Sequence, residues 1–188
     1  MVTQPIRYRI ARTEQDFEQI FRLNHATFAV ELPQHAPQPD GRLIDRFHSR
    51  NTYVIGCDGL DEVVAMIAFR SDRPFSLDQK VHDLDRYLLP ARSPCELRLL
   101  AIKSGWRMPG VLQGLLRFCI RELISRDFDL ALISGTVRQR RLYARLGFLP
   151  FGPQVGIEPV VFQPMQLPLA RAMAMKPALF GGQTRDPP

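Results

Sequence analysis

Lysine is nearly missing from this chain. Of 25 basic residues, only Lys80, Lys103 and Lys176 are lysines, so arginine carries the formal net charge of +6. Arginine offers a planar fork that matches carboxylate and phosphate. The arginines are scattered, with neither zinc-finger spacing nor an RNA-recognition aromatic pattern, which argues against a nucleic-acid partner. Cysteine is scarce too. Cys57, Cys95 and Cys119 are odd in number, far apart and set in apolar segments, which excludes a disulfide framework and predicts buried, reduced thiols. His25, His35, His48 and His82 show no pairing at ligand spacing, so no metal site is expected. No Ser-His or Cys-His nucleophile is legible either. The chain has no apolar run of about 18 residues, no apolar signal-peptide core at its start and no repeat of about 20 to 50 residues. A cytoplasmic protein without membrane insertion is expected.

What is present reads as a globular domain. The 188 residues are 45% hydrophobic and 23% charged, enough to bury a core without staples. Residues 1–170 are expected to form one domain and 171–188 a partly disordered tail, frayed from Ala172. Ile6, Tyr8 and Ile10 alternate as in a half-buried strand, and Thr13 with Asp16 caps a helix carrying Phe17, Ile20, Phe21, Asn24 and Phe28. Three prolines between Leu32 and Gly41 require a loop. Leu43, Ile44 and Phe47 suggest a short helix, and two strand-like runs at 52–58 and 62–70 suggest an antiparallel hairpin. A helix is expected at 77–89, a central strand at 95–102 and a helix from Val111. Apolar residues at 111, 112, 115, 116, 119, 120, 123 and 124 give that helix a core-facing stripe, on which Cys119 reads as core. A buried strand at 128–134, a helix at 137–146 that Gly147 stops, and one or two closing strands complete a mixed α/β sheet.

One stretch raises a chemical question. Ser104-Gly-Trp-Arg-Met-Pro-Gly110 puts an arginine, a proline and a glycine directly before the apolar helix. Helix N-termini leave backbone N–H groups unpaired and carry about half a positive charge, so they bind anions. Gly110 permits close approach, Pro109 suits the first helical position and Arg107 adds a full charge. A phosphate site fits. So does a plain strand-to-helix turn with Arg107 in solvent.

The flanks add specificity. The string CELRLLAI-KSGWRMPG-VLQGLL, then a strand, then RRLYARLGF, resembles the GNAT superfamily of acyl-coenzyme A N-acyltransferases from Glu96 to Phe148. Arg107-Met-Pro-Gly110-Val-Leu112 stands where that family has its pyrophosphate loop, and Leu142-Tyr143 to Gly147-Phe148 stands where it has its later L-Y-x-x-x-G-F motif. Upstream, Asn24-His-Ala-Thr-Phe28, Glu31 and Asp45-Arg-Phe-His48 resemble acyl-homoserine lactone synthases and long-chain N-acyl amino acid synthases, relatives that take acyl groups from acyl carrier protein.

The resemblance implies a GNAT-type mixed central sheet with splayed central strands, flanked by helices. It implies transfer of an acyl group from acetyl-CoA or acyl-CoA to a small-molecule amine, possibly an amino acid, with acyl carrier protein phosphopantetheine as the alternative donor. Leu100, Ala101 and Ile102 would bond the pantetheine arm, and Arg107, Met108, Gly110, Val111 and Leu112 would hold phosphate. Tyr143 would protonate the leaving thiolate. Glu96 would be either the base or an ion-pair partner of Arg98 or another arginine. Two departures stand out: Pro109 removes an N–H from the cradle and Leu112 replaces a small residue, both better tolerated by a carrier's single phosphodiester. In lactone synthases the central strand reads E-x-S-R; here Arg98 is displaced by one residue, which puts lactone synthesis in doubt. A non-catalytic module that binds acyl-CoA or docks a partner is the rival reading.

Overall fold

The structure, a computed structural model, describes residues 5–157, 160–175 and 177. Its contacts divide the chain into two compact units, one of residues 1–70 and 97–119, the other of residues 71–96 and 120–188.

The first unit starts from an antiparallel ladder of β1 (Arg7–Ile10), β2 (Thr52–Cys57) and β3 (Val63–Arg70). β2 and β3 form the hairpin that alternation predicts, from Thr52↔Phe69 to Cys57↔Val63. Every residue of β3 is buried, as apolar side chains on both faces demand. α1 (Glu14–His25) begins in a full capping box: the Thr13 hydroxyl accepts the Asp16 N–H, and the Asp16 carboxylate accepts the Thr13 N–H. Ile20, Phe21 and Leu23 then pack with Tyr53, Ile55, Cys57, Met66 and Ala68.

The helix does not stop at His25. Residues Ala26–Glu31 continue it as a π-helix, in which the Leu32 N–H donates to the Thr27 carbonyl. The proline-rich stretch beyond carries neither helix nor strand. The short helix expected at 43–47 does not form, because the Asp45 carboxylate accepts the Phe47 N–H at 2.9 Å, a local bond that competes with a helical turn. A 3₁₀ turn at His48–Arg50 follows instead.

β4 (Pro94–Ile102) and α2 (Pro109–Ser125) each contribute to both units. Along α2 the predicted stripe is buried at Val111, Leu115, Leu116, Cys119, Ile120 and Leu123. The second unit is built on β5 (Leu130–Thr136), with β6 (Leu149–Pro150), β7 (Val155–Ile157) and β8 (Val160–Pro168). β5 and β8 pair antiparallel from Leu130↔Pro168 to Thr136↔Phe162, while β6 and β7 both pair with β8. A 3₁₀ turn leads into α3 (Arg140–Arg145), and α4 (Leu169–Met175) runs past Ala172, where fraying was expected. Residues 178–188 of the expected tail lie outside the described residues.

The helix expected at 77–89 is a set of turns with one 3₁₀ segment at Leu84–Tyr87. Aspartates explain the difference. Asp78 accepts the Phe75 N–H at 2.6 Å, and Asp83 takes a left-handed φ of 51°, which no helix can continue through. The segment is held by Phe75, Leu77, Val81 and Leu84 packed with Leu130, Leu132 and Phe151, and by Gln166, which accepts the Leu89 N–H and donates to the Tyr87 carbonyl.

The strands bond in the order β1-β2-β3-β4-β5-β8-β6, with β7 on β8, and β4 lies parallel to β5. All three cysteines are buried thiols. No helix among the described residues is long and apolar enough to cross a membrane.

Candidate active site

β4 changes character along its length. Pro94, Cys95 and Glu96 pair with Leu130, Ala131 and Leu132, and beyond Glu96↔Leu132 no pair joins β4 to β5 among the described residues. Both strands nevertheless continue, β4 to Ile102 and β5 to Thr136. The change coincides with Leu99, whose φ is 55°. A leucine in the left-handed region costs about 1–3 kcal/mol and breaks the alternation of the strand. Residues 98–100 and 102 are only half-buried in a strand bonded on its other side to β3, where Lys103 N–H donates to the Val64 carbonyl at 2.8 Å. Leu100, Ala101 and Ile102 therefore lie on the length of β4 past its last ladder pair with β5.

The loop after β4 brings the remaining first-unit candidates together. Arg107 donates its Nε–H to the Ile102 carbonyl at 3.0 Å, so the end of β4 and the loop are tied by one side chain. Its two terminal nitrogens form a fork-to-fork pair with the Glu31 carboxylate. This pair raises the Arg107 pKa and lowers that of Glu31, in each case first through the hydrogen bonds between them. Arg107 is thus neither in plain solvent nor an open cation. Pro109 opens α2 at its first position. Met108 and Gly110 are exposed, and a Cβ at Gly110 would meet nothing within 4 Å, so the helix tip has room for a ligand. Val111 is buried and Leu112 half-buried.

Tyr8 holds this tip in place. Its hydroxyl donates to the Val111 carbonyl at 3.0 Å, and its ring lies where a Cβ on Gly114 would come within 2.4 Å. Gly114 is therefore glycine for close packing. Neither role is legible in sequence, where Tyr8 is one alternating strand residue and Gly114 one gap in a helical stripe.

The other two candidates lie in the second unit. Tyr143 on α3 packs its ring against Gly135 of β5, where a Cβ would come within 2.6 Å of it, and meets Phe148 edge-on at 5.8 Å between centroids. Its hydroxyl makes no hydrogen bond among the described residues, and desolvation pushes its pKa up to about 12. Such a phenol keeps its proton at any physiological pH. Glu96 is 0% exposed and accepts hydrogen bonds from Ser76 N–H (2.9 Å), Ser76 Oγ–H (2.6 Å) and Leu77 N–H (3.1 Å). Its register partner is Leu132, whereas Tyr143 touches β5 at Gly135, an odd number of residues along. Side chains alternate along a strand, so Glu96 and Tyr143 serve opposite faces of the sheet.

Sequence reasoning paired Arg98 with Glu96 as one option. Arg98 forms a bidentate pair with Asp45 (2.8 and 3.0 Å), the two side chains being 14% and 10% exposed. Burial alone would raise the Asp45 pKa, but the charge and hydrogen bonds of Arg98 bring it below the ordinary value. Asp45 also accepts from Asn51, which donates to Tyr53 Oη, which contacts His48 Nδ1 at 3.2 Å. His48 in turn meets Phe17 and Phe21 edge-on. No group of three or more His, Cys, Asp or Glu that could hold a metal occurs among the described residues.

Comparison with known proteins bears on the family and the fold. The sequence profile of the family described as N-acyl amino acid synthase FeeM matches residues 19–169. No curated protein matches the chain in sequence. Among solved structures, FeeM, an N-acyl amino acid synthase from uncultured soil microbes, is 15% identical over 92% of this chain and 96% of its own, with a TM-score of 0.71. BjaI, a CoA-dependent acyl-homoserine lactone synthase with SAM and isopentyl-CoA, is 14% identical over 98% and 95%, with a TM-score of 0.73. A protein described as an acetyltransferase of the GNAT family from Desulfovibrio desulfuricans is 14% identical over 88% and 99%, with a TM-score of 0.62. At these identities the solved structures speak for the fold, a GNAT-like mixed sheet flanked by helices, and the profile speaks for the family. The chain belongs to the N-acyl amino acid synthase FeeM family of N-acyltransferases.

Proposed function

We propose that this enzyme transfers an acyl group from a phosphopantetheine thioester, borne by an acyl carrier protein, to the α-amine of an amino acid. The observation that carries the reading is the end of the β4–β5 ladder at Glu96↔Leu132, followed within β4 by the left-handed Leu99 and, after it, by a helix tip with room at Gly110. Backbone groups of Leu100, Ala101 and Ile102 past that last pair would hold the arm, as a further strand would. An N–H there would donate to the thioester carbonyl, and such an oxyanion contact is worth about 3–4 kcal/mol. Arg107 and the backbone of Met108, Gly110, Val111 and Leu112 would hold the phosphate.

The amine nitrogen attacks the carbonyl carbon, the C–S bond breaks, and the Tyr143 hydroxyl gives its proton to the leaving sulfur. The proton lost by the amine passes to solvent, from which Tyr143 is reprotonated. An α-amine with pKa about 7.7–8.0 is substantially neutral at physiological pH and needs little help. Glu96, which accepts hydrogen bonds from Ser76 and Leu77, is in this reading a positioning residue that fixes the Ser76-Leu77 turn.

The carrier-protein donor is favoured by Pro109 and Leu112, which thin the phosphate cradle, and by arginines. Arg138, Arg140, Arg141 and Arg145 are exposed and make no ion pair among the described residues. An acidic carrier surface would be steered to them. The test supplies acyl carrier protein and acyl-CoA of matched chain length with mixed amino acids, and detects N-acyl products by mass spectrometry. Transfer from the carrier that falls about tenfold in the double variant Arg141→Glu with Arg145→Glu, with any acyl-CoA reaction unchanged, supports the reading. Equal loss with both donors, or faster transfer from acyl-CoA, contradicts the carrier assignment. The absence of N-acyl product from either donor contradicts acyl transfer to amino acids.

A further inference from the structure

Arg107 is the full charge at the helix tip, yet its fork is taken. Both of its terminal nitrogens face the two oxygens of Glu31, and its Nε–H goes to the Ile102 carbonyl. The side chains are 44% and 41% exposed, so nothing walls this pair off from an incoming anion. Glu31 reaches it through an irregularity: it is the last residue of the π-helical turn Ala26–Glu31, whose wider winding rotates the residues after it out of α-helical register. The turn is pinned from behind, since Leu32 N–H donates to the Thr27 carbonyl and the Gln34 and His35 N–H groups both donate to the Phe28 carbonyl. The carboxylate is therefore delivered to Arg107 by a held backbone rather than by a wandering side chain.

Resting on the phosphate role given to Arg107 above, we propose that Glu31 is a donor-selectivity residue: its carboxylate occupies the guanidinium fork that the donor's phosphate needs. A phosphate must displace it or share the arginine with it, and either way meets a carboxylate of like charge. Affinity for the phosphorylated arm is lowered by the fraction of molecules in which the fork is closed. The penalty falls on any arm that carries the phosphate and on none that lacks it.

The experiment measures binding of 4′-phosphopantetheine and of pantetheine, which lacks the phosphate, to the whole chain by calorimetry at low salt. Glu31→Gln, with Glu31→Ala as a second variant, is compared with wild type and with Arg107→Gln; thermal melting confirms that each is folded. An exposed pair of this kind predicts that Glu31→Gln tightens 4′-phosphopantetheine about three- to fivefold and leaves pantetheine unchanged. The gain disappears in the double variant with Arg107→Gln and shrinks as salt is raised. If Arg107→Gln weakens 4′-phosphopantetheine but neither Glu31 variant tightens it, the proposal is overturned while the phosphate role of Arg107 stands. An equal gain for both ligands also overturns it, because the effect is then independent of the phosphate. If Arg107→Gln changes nothing in any background, the phosphate role itself fails and this proposal with it.

Discussion

The two ends of β4 differ in pairing, backbone conformation and burial. Residues 94–96 are zipped to β5, and Cys95 and Glu96 are 0% exposed; past that last ladder pair Leu99 takes a left-handed φ, and residues 98–100 and 102 are half-buried. The paired end gains ladder bonds and a core. The parted end, past the last ladder pair, accepts a strained leucine within the strand. Local strain of that kind persists only where the surroundings enforce it, and it concentrates at functional sites. In this chain the Arg107 to Ile102 bond and the Tyr8 to Val111 bond hold the parted end and the helix tip beyond it.

This contrast can be broken at several points. The largest effect is expected from Tyr143→Phe, which should lower the transfer rate about 10²- to 10⁴-fold, the usual worth of a positioned proton donor. Its unfolding midpoint should stay at the wild-type value, because the lost hydroxyl makes no hydrogen bond among the described residues. Glu96→Ala strikes the paired end. Three buried donors lose their acceptor, and unfolding free energy from denaturant titration should fall by about 3–5 kcal/mol. If Glu96 is a positioning residue, the activity that remains keeps the wild-type pH profile; loss of its acidic limb would make Glu96 a base after all.

Gly114→Ala strikes the parted end. Its Cβ must displace the Tyr8 ring, costing about 1–3 kcal/mol and loosening the helix tip, so phosphate affinity should drop along with stability. The smallest effect is an acid limb. Asp45 is held below its ordinary pKa in the folded chain by Arg98, so it contributes stability that is present above the unfolded value, about 3.9, and is lost as pH falls through the folded value. Asp45→Asn should flatten that part of the stability-versus-pH curve while lowering stability at pH 7.

Much of this organisation was legible in the sequence because it follows simple periods. The Thr13–Asp16 cap, the hairpin of β2 and β3, the stripe of α2 and the strand at Cys95–Ile102 each rest on a spacing that one physical rule explains. The misses have physical causes as well. Nothing in Leu97-Arg-Leu99-Leu marks a left-handed turn, since glycine usually signals one and none is there. The π-turn at 26–31 follows ordinary helix-forming residues, and nothing in Ala26-Thr-Phe-Ala-Val-Glu31 marks the wider winding. At 77–89 the apolar spacing suggested a helix, but Asp78 and Asp83 satisfy the backbone locally and divert it. The partner of Arg107 lies 76 residues away, beyond the reach of any local pattern.

The most direct test is hydrogen exchange at the backbone amides of β4, followed with and without a non-hydrolysable acyl-phosphopantetheine donor. The account predicts that, without donor, the amides of residues 98–102 that point away from β3 exchange far faster than those of Cys95 and Glu96, and that the donor slows them selectively. Protection of 98–102 equal to that of Cys95 and Glu96 before any donor is added would contradict it.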